Sequence, residues 1–579
     1  MVQANRENIT ACPLDCYDAC IVEYKDGKLK GTTQGYTGGF LCPHLNHYEV
    51  REKIVSAQYN GVDIPLKEAI DKLIEILKNS NKTLHYRGNG NFALMQSITD
   101  HFFAQTGVTL TDGTLCDGAG EAGIIQGRGY NDNISPKQIK QSEVVIFWGR
   151  NPHTTSSHLL PLIKGKKIIV IDPVKTQMAS HADMHIQIKP HGDLQLAMLL
   201  ARFLHIEGGV DEEFVRKFAP EYEEYYELTQ TIRIKATLEE IDVTLGQIGD
   251  ILRIIKDKKT VIVCGIGIQK YLDGADVMRA IDAFAVFLGL FGKEGCGVGY
   301  LGDSKKGLEI PFAKPRKVVS KVDTAFSKFD TVFIQGANPL NQMPNTLRIQ
   351  NELKKVKNII YFGLEKNATS AVANLIIPAK TFLEKNDIRA SYSDNYLAPM
   401  PKQIETNTGI SEYDLTKALC KAFGAEIESE EFYLNYFKSY CYEDKEGVLR
   451  KTDTEQLPYK NGFKDEFEFL QEIDLDFDMK NDYFLLTCKS PRSLNSQFKT
   501  ERYVYLHPSL GFKDGQKVKI LSKEGDVCLH VKCDERLRAD CILIYSGTHG
   551  VNKLTSSQKS YDANSAVYQQ NKVQITLLS

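Results

Sequence analysis

The chain has 579 residues, of which 42% are hydrophobic and 25% charged, with a net charge of −3. That is long enough for several packed units and balanced like an ordinary globular protein. Near-neutral charge argues against nucleic acid or an anionic membrane as partner. No run of about 18 apolar residues predicts direct membrane insertion.

In chain order, the first strong signal is cysteine: Cys12-x₃-Cys16-x₃-Cys20, then Cys42. Thiolates at this density bind soft metal, and a compact triplet with a distant fourth suits a cubane iron–sulfur cluster, in which each iron takes one thiolate. Structural zinc is the alternative, though its sites more often show two C-x₂₋₄-C pairs. The segment MVQANRENITACPLDC has neither an apolar signal region nor paired arginines, so the cytoplasm is the expected compartment. The thirteen cysteines, an odd number, suit reducing conditions. Those outside the N-terminal set, such as Cys420, Cys528 and Cys533, are expected to be small buried hydrophobes.

Residues 21–32 predict a hairpin turning at Asp26-Gly27. Over residues 66–79, Ile70, Leu73, Ile74 and Leu77 share one face of a predicted helix. Short β-rich runs (SEVVIFWG, KKIIVIDP, KTVIVCGIG, DTVFIQG, KNIIYFG) then alternate with amphipathic helices, which implies α/β units around mostly parallel sheets. Residues 425–482 have no clear period and read as an irregular connection. From Tyr483 onward, short strands and turns predict a separate β-barrel of about 100 residues.

Two segments repeat. Strand VVIFWG runs into Gly149-Arg-Asn151-Pro152, and strand TVFIQG into Gly336-Ala-Asn338-Pro339; each leads through a helix-compatible stretch to a second strand. Glycine lets backbone approach a ligand, and strand ends of this kind suit a pyrophosphate. Asp172 closes the second strand of the first copy, where an acidic residue can bond a ribose or purine edge. The second copy has Gly363 there, with Glu365 nearby. A third glycine loop, Gly265-Ile-Gly267-Ile-Gln269, also follows a strand. Duplication suggests two nucleotide-like moieties bound across a pseudo-twofold.

Several stretches together resemble the prokaryotic molybdopterin oxidoreductases, the superfamily of formate dehydrogenase and dimethyl sulfoxide reductase. They are CPLDCYDAC with Cys42-Pro43, WGRNP at 148–152, VIDPVKTQMASHAD at 170–183, KPHGDLQLAM at 189–198, GLFGKEGCGVGY at 289–300, GANPL at 336–340, LIIPAKTFLEKND at 375–387 and LTCKSPRSLNSQ at 486–497. The resemblance implies an α/β, four-domain fold with an N-terminal Fe–S segment, two pseudo-symmetric dinucleotide-binding domains and a C-terminal β-barrel. The expected boundaries are 1–55 for the [4Fe–4S] domain, 56–135 with 325–480 for a discontinuous α/β domain, 136–324 for a second α/β domain and 481–579 for the barrel. It implies one [4Fe–4S] cluster and a molybdenum or tungsten ion held by two pterin guanine dinucleotides.

By the same match, Cys12, Cys16, Cys20 and Cys42 hold the cluster. Gly149, Asn151, Asp172, Thr176, Gly192 and Asp193 contact one dinucleotide; Gly265 and Gly267, from the third glycine loop, are expected as cofactor-binding residues on the ground of that loop alone. Gly336, Asn338 and Asn495 lie along the cofactor cleft. Cys116, in the glycine-rich loop from Thr111 to Glu121, is expected to ligate the metal as a soft donor; Asp117 is the alternative ligand. A Cys ligand leans towards nitrate, thiosulfate or polysulfide reductases and formate dehydrogenase. Formate dehydrogenases, however, place a His where this chain has Asp117. His44 stands where many relatives carry a lysine between cluster and pterin, and an imidazole can still bond a pterin nitrogen. Asp117, Glu121, Arg128 and His153 are polar residues near the presumed funnel, with no role assigned. A single cluster motif implies an external electron partner, a ferredoxin or Fe–S subunit, and a small-molecule substrate. Competing readings are a non-redox tungsten hydratase and an electron-transfer subunit like that of respiratory complex I.

Overall fold

The apolar runs form strands and the amphipathic stretches helices, as period and length dictate. The computed structural model describes residues 8–452, 457–473, 482–498 and 501–578. The chain divides into two compact units, Met1–Asp112 with Ser304–Thr454 and Arg492–Lys499, and Gly113–Asp303 with Glu455–Pro491 and Thr500–Ser579.

The first unit opens with a three-stranded antiparallel sheet, Ile9–Ala11, Ile21–Lys25 and Lys28–Gly31. Asp26 and Gly27, with φ of 54° and 73°, make the two-residue turn expected there. An eight-stranded sheet follows. Six of its strands are parallel, in the order Val318–Ser320, Thr109–Asp112, Thr83–Arg87, Thr331–Gln335, Asn358–Gly363 and Leu375–Pro378. Helix Leu66–Lys78 buries Ala69, Leu73 and Leu77 in a core that also holds Phe102, Phe103, Phe333 and Ile360. A four-stranded antiparallel sheet contains Asp387–Ala390 and Tyr396–Met400.

The second unit contains an all-parallel five-stranded sheet, ordered Met184–Ile186, Lys167–Ile171, Val144–Trp148, Thr260–Cys264 and Gly297–Gly299. Helix Gly274–Phe287 is buried along most of its length, which explains why its sequence is apolar on nearly all sides. Six strands between Tyr483 and Leu577 close the barrel predicted for the C-terminal region.

Two expectations are corrected. Within 425–482, Glu430–Lys438 is a helix whose N-cap Ser429 accepts from Phe432 N at 3.1 Å. Its several aromatic residues hide the apolar stripe, which is Tyr433 and Phe437. Residues 453–456 and 474–481 of that stretch lie outside the described residues. Cys420 is buried, but Cys528 is exposed and Cys533 half-buried: strand Asp526–Cys533 alternates, sending Leu529 and Val531 inward and Cys528 out.

The duplicated segments match bond for bond. Gly149 N donates to Ile171 O at 2.8 Å, and Gly336 N to Phe362 O at 2.8 Å. Both glycines have positive φ, 62° and 53°. Asn151 and Asn338 each precede a short helix with proline in its first turn. Thr176 Oγ1 accepts from Ala179 N, as Asn367 Oδ1 does from Ser370 N. Asp183 Oδ2 accepts from Ile168 N, as Asn374 Oδ1 does from Ile359 N, both at 2.8 Å.

Candidate cofactor site

Within the first unit, the cysteines sit on the hairpin and its flanking loops. Cys12 N donates to Cys20 O at 2.9 Å, closing the loop that carries Cys16. Leu14 N points at Cys12 Sγ, 3.4 Å away, and Leu45 N and Asn46 N turn the chain at Cys42 O. Burial pushes all four thiols up, Cys16 to about 11. The Cys20 thiol also feels Cys12, Cys16 and Cys42, so the four thiols lie within electrostatic reach of one another. Cys12 and Cys20 are buried and Cys16 and Cys42 half-buried; four such thiols, with backbone N–H groups turned towards them, form a donor set for soft metal.

One small hairpin gathers other predicted residues of this unit. Strands Ser493–Leu494 and Gln497–Phe498 pair across Asn495 and Ser496, and Asn495 takes φ 54°. Asn338 Nδ2 donates to Ser496 Oγ at 3.3 Å, while Asn338 Oδ1 accepts from Thr369 at 2.9 Å. Gln497 Nε2 donates to Gly90 O at 3.4 Å. Phe498 stacks on His44, ring centroids 5.1 Å apart. Gly336, Asn338, Asn495 and His44 are thereby tied to one local structure.

In the second unit, strand order reverses between Val144–Trp148 and Thr260–Cys264, a topological switch point, where open α/β sheets bind ligands. Gly265 N donates to Trp148 O at 2.7 Å, and a Cβ on Gly265 would fall 1.7 Å from Gly149 O. Gly265 is therefore required by the packing of the two loops. Gly267 differs: a Cβ there would meet nothing within 4 Å. Asn151 Oδ1 is buried without a hydrogen-bond partner among the described residues. An open glycine and an orphaned acceptor on two loops that meet at Gly265 and Gly149 fit a large polar ligand.

Two buried carboxylates stand at these strand ends. Burial, reinforced by Asp193, raises Asp172 to about 7, against a bond from Val174 N at 2.8 Å. Burial raises Asp193 to about 6, against a 2.7 Å bond from Trp148 Nε1. Gly192, crowded by Ile241, precedes helix Asp193–Ile206. Thr176 caps the turn after Asp172.

Cys116 lies in the same unit, on the loop leading to helix Gly118–Arg128. Its N donates to Thr114 Oγ1 at 2.9 Å and its carbonyl accepts from Gln269 Nε2 at 2.9 Å. Gln269 Oε1 takes Gly120 N, and Lys270 Nζ donates to Leu115 O at 3.3 Å. Asp117 accepts from Thr114 on its carboxylate and from Tyr300 OH on its carbonyl, so it braces the loop. Sequence reasoning missed Gln269, Lys270 and Tyr300 as loop supports; only the position of Gln269 and Lys270 at the third glycine loop hinted at two of them. Arg128 is structural: it is buried in an ion pair with Asp282. Burial raises Glu121, and His153 rests against the ring of His181.

The model of the molybdopterin oxidoreductase family matches residues 66–394. The chain belongs to that family. Among relatives of this molybdopterin oxidoreductase, a probable oxidoreductase YyaE of Bacillus subtilis is 26% identical, covering 80% of this chain and 76% of its own. The F420-dependent formate dehydrogenase 1 subunit alpha of Methanococcus maripaludis is 23% identical over 72% of this chain and 70% of its own. The solved structure of acetylene hydratase from Pelobacter acetylenicus shares the fold, with TM-score 0.77, 14% identity and coverage of 98% and 99%. The family implies a molybdenum or tungsten ion on pterin ligands. No helix among the described residues is long and apolar enough to cross a membrane.

Proposed function

We propose that this enzyme carries out a two-electron redox reaction on a small substrate, as a reductase of the nitrate, thiosulfate or polysulfide type. It would use a molybdenum or tungsten bis-pterin guanine dinucleotide and one [4Fe–4S] cluster. The observation that carries this reading is the Cys116 loop. Thr114, Gln269 and Tyr300 hold its backbone, and Asp117 spends its groups on the same task. That supports the Cys116 sulfur as the metal ligand, in preference to the Asp117 carboxylate.

When bound, the metal centre supplies the site for oxygen, sulfur or proton exchange with two electrons. The chain's own residues position and insulate. Cys12, Cys16, Cys20 and Cys42 would hold the cluster. Gly149, Asn151, Asp172, Thr176, Gly192, Asp193, Gly265 and Gly267 would form one dinucleotide site; Gly336, Asn338 and Asn495 would serve the other. Electrons would pass through a ferredoxin or Fe–S subunit in the cytoplasm. The formate dehydrogenase reading is weaker, because Asp117 occupies the position of that enzyme's histidine.

The test is anaerobic purification from a host that makes molybdopterin, then metal and nucleotide analysis and a reduced-viologen screen of nitrate, thiosulfate, polysulfide and S- and N-oxides. About four iron atoms per chain are expected, with molybdenum or tungsten and guanine nucleotide. Cys116→Ala should keep iron and nucleotide but lose turnover. A preparation that binds neither iron nor pterin overturns the reading; formate oxidation without reductase activity favours the dehydrogenase.

A further inference from the structure

Arg389 is a buried cation with no anion to match it. The side chain is 0% exposed, on strand Asp387–Ala390 of the first unit. Its Nε and Nη1 have no hydrogen-bond partner, and no carboxylate lies within ion-pairing distance, among the described residues. Nη2 makes one bond, to Leu14 O at 3.3 Å, in the loop between Cys12 and Cys16. The guanidinium carbon lies 4.3 Å from the Phe92 ring centroid and 5.6 Å from that of Tyr392. Phe92 N also holds the cysteine loop, through Pro13 O at 2.9 Å. Asp15, the loop's own carboxylate, accepts from Asn89 and Tyr392 instead.

Two other buried cations in the chain are treated differently. Arg128 meets Asp282, and Lys385 meets both Asp387 and Glu412. Burying a charge without a partner costs several kcal/mol, so a fold that keeps one is expected to present it to an anion. The guanidinium favours the thiolates of Cys12 and Cys16 against the effect of burial, which puts it within electrostatic reach of both. A cubane on four thiolates is anionic and gains a further negative charge on reduction.

We propose that Arg389 is the charge-compensating residue of the cluster: the cation whose missing partner is the iron–sulfur centre itself, and which eases that centre's reduction. This rests on the assignment of the four cysteines to a [4Fe–4S] cluster. The proposal makes Arg389 a positioning and electrostatic residue; it is no iron ligand. It supplies from a distant strand the positive charge that the sequence does not place at residue 44, where histidine stands.

The test is an EPR-monitored redox titration of the holoenzyme. Iron and sulfide content of the parent judges the cluster assignment separately. Given a cluster, Arg389→Gln should lower its potential, so that the reduced-to-oxidised ratio at fixed poise falls about tenfold, or about 59 mV for one electron. Arg389→Lys, which keeps the charge, should restore most of the shift. A full-iron Arg389→Gln with the parent potential, or a lysine variant shifted as far as the glutamine one, overturns the proposal. Should the glutamine variant not fold, pulsed EPR on parent enzyme labelled with ¹⁵N-guanidine arginine decides. A nitrogen coupling present in the parent and lost in Arg389→Lys supports the proposal, and its absence from the parent overturns it.

Discussion

The two Gly-x-Asn-Pro loops are built alike and charged differently. Each follows a central parallel strand at the switch point of its own sheet, with glycine at positive φ and the same backbone bonds. At the Gly149 loop the neighbouring strand ends in Asp172, and Trp148 bonds Asp193. At the Gly336 loop the matching positions are Gly363 and Gln335, and Gln335 bonds Gln96 O, Thr99 and the ring of His85. A Cβ on Gly363 would fall 2.6 Å from the Tyr361 hydroxyl, which Asn367 holds in place. Duplication thus kept the backbone frame and changed the residues at its strand ends: Asp172 and a tryptophan bonded to Asp193 in one copy, Gly363 and Gln335 in the other.

The largest test of the shared frame is steric. Gly265→Ala would drive a Cβ into Gly149 O, and Gly88→Ala would bring one to 2.7 Å from Gly336 O. The first should cost about 3 kcal/mol or more and the second about 1–3 kcal/mol, read by thermal unfolding. If Gly88→Ala is neutral, the two switch points are not packed by the same rule.

The difference in charge is tested next. Asp172→Asn should remove roughly half of the guanine nucleotide released per chain by acid hydrolysis, since a charge-assisted hydrogen bond contributes about 1.5–3 kcal/mol. Full nucleotide content in this variant would mean that the acidic copy does not read the base through Asp172.

A pH effect follows from the same residue. The folded-state pKa of Asp172, about 7, lies above the usual carboxylate range. Between roughly pH 4 and pH 7 the folded protein therefore binds more protons than the unfolded chain, and its stability falls as pH rises. In cofactor-free protein, the melting temperature of Asp172→Asn should gain on the parent from pH 5 to pH 8; parallel curves would refute the raised pKa. The smallest effect is expected at Asp183, whose Oδ2 bond to Ile168 N an asparagine can reproduce, as Asn374 does in the other copy. Asp183→Asn loses only the surface pair with Lys167 and should cost under about 1 kcal/mol.

Much of this frame was legible because glycine loops after apolar strands leave a plain trace in sequence. The hairpin at Asp26-Gly27 and helix Leu66–Lys78 were legible for the same reason, strong local pattern. Helix Glu430–Lys438 was not, because aromatic residues on several sides blur its period. Gln269 and Lys270 act on a loop about 150 residues earlier in the chain, a separation no local pattern encodes. Arg389 was hidden for a subtler reason: an arginine in a strand reads as solvent-facing until the fold buries it.

Trp148 is the chain's single tryptophan, buried at the acidic loop with its indole N–H on Asp193. In cofactor-free protein, light absorbed at the red edge of the spectrum therefore excites this site alone. Ionisation of Asp193 or arrival of a ligand beside it changes the field across that one ring. The molecule thus carries a built-in optical gauge for one of its two loops and is dark at the other.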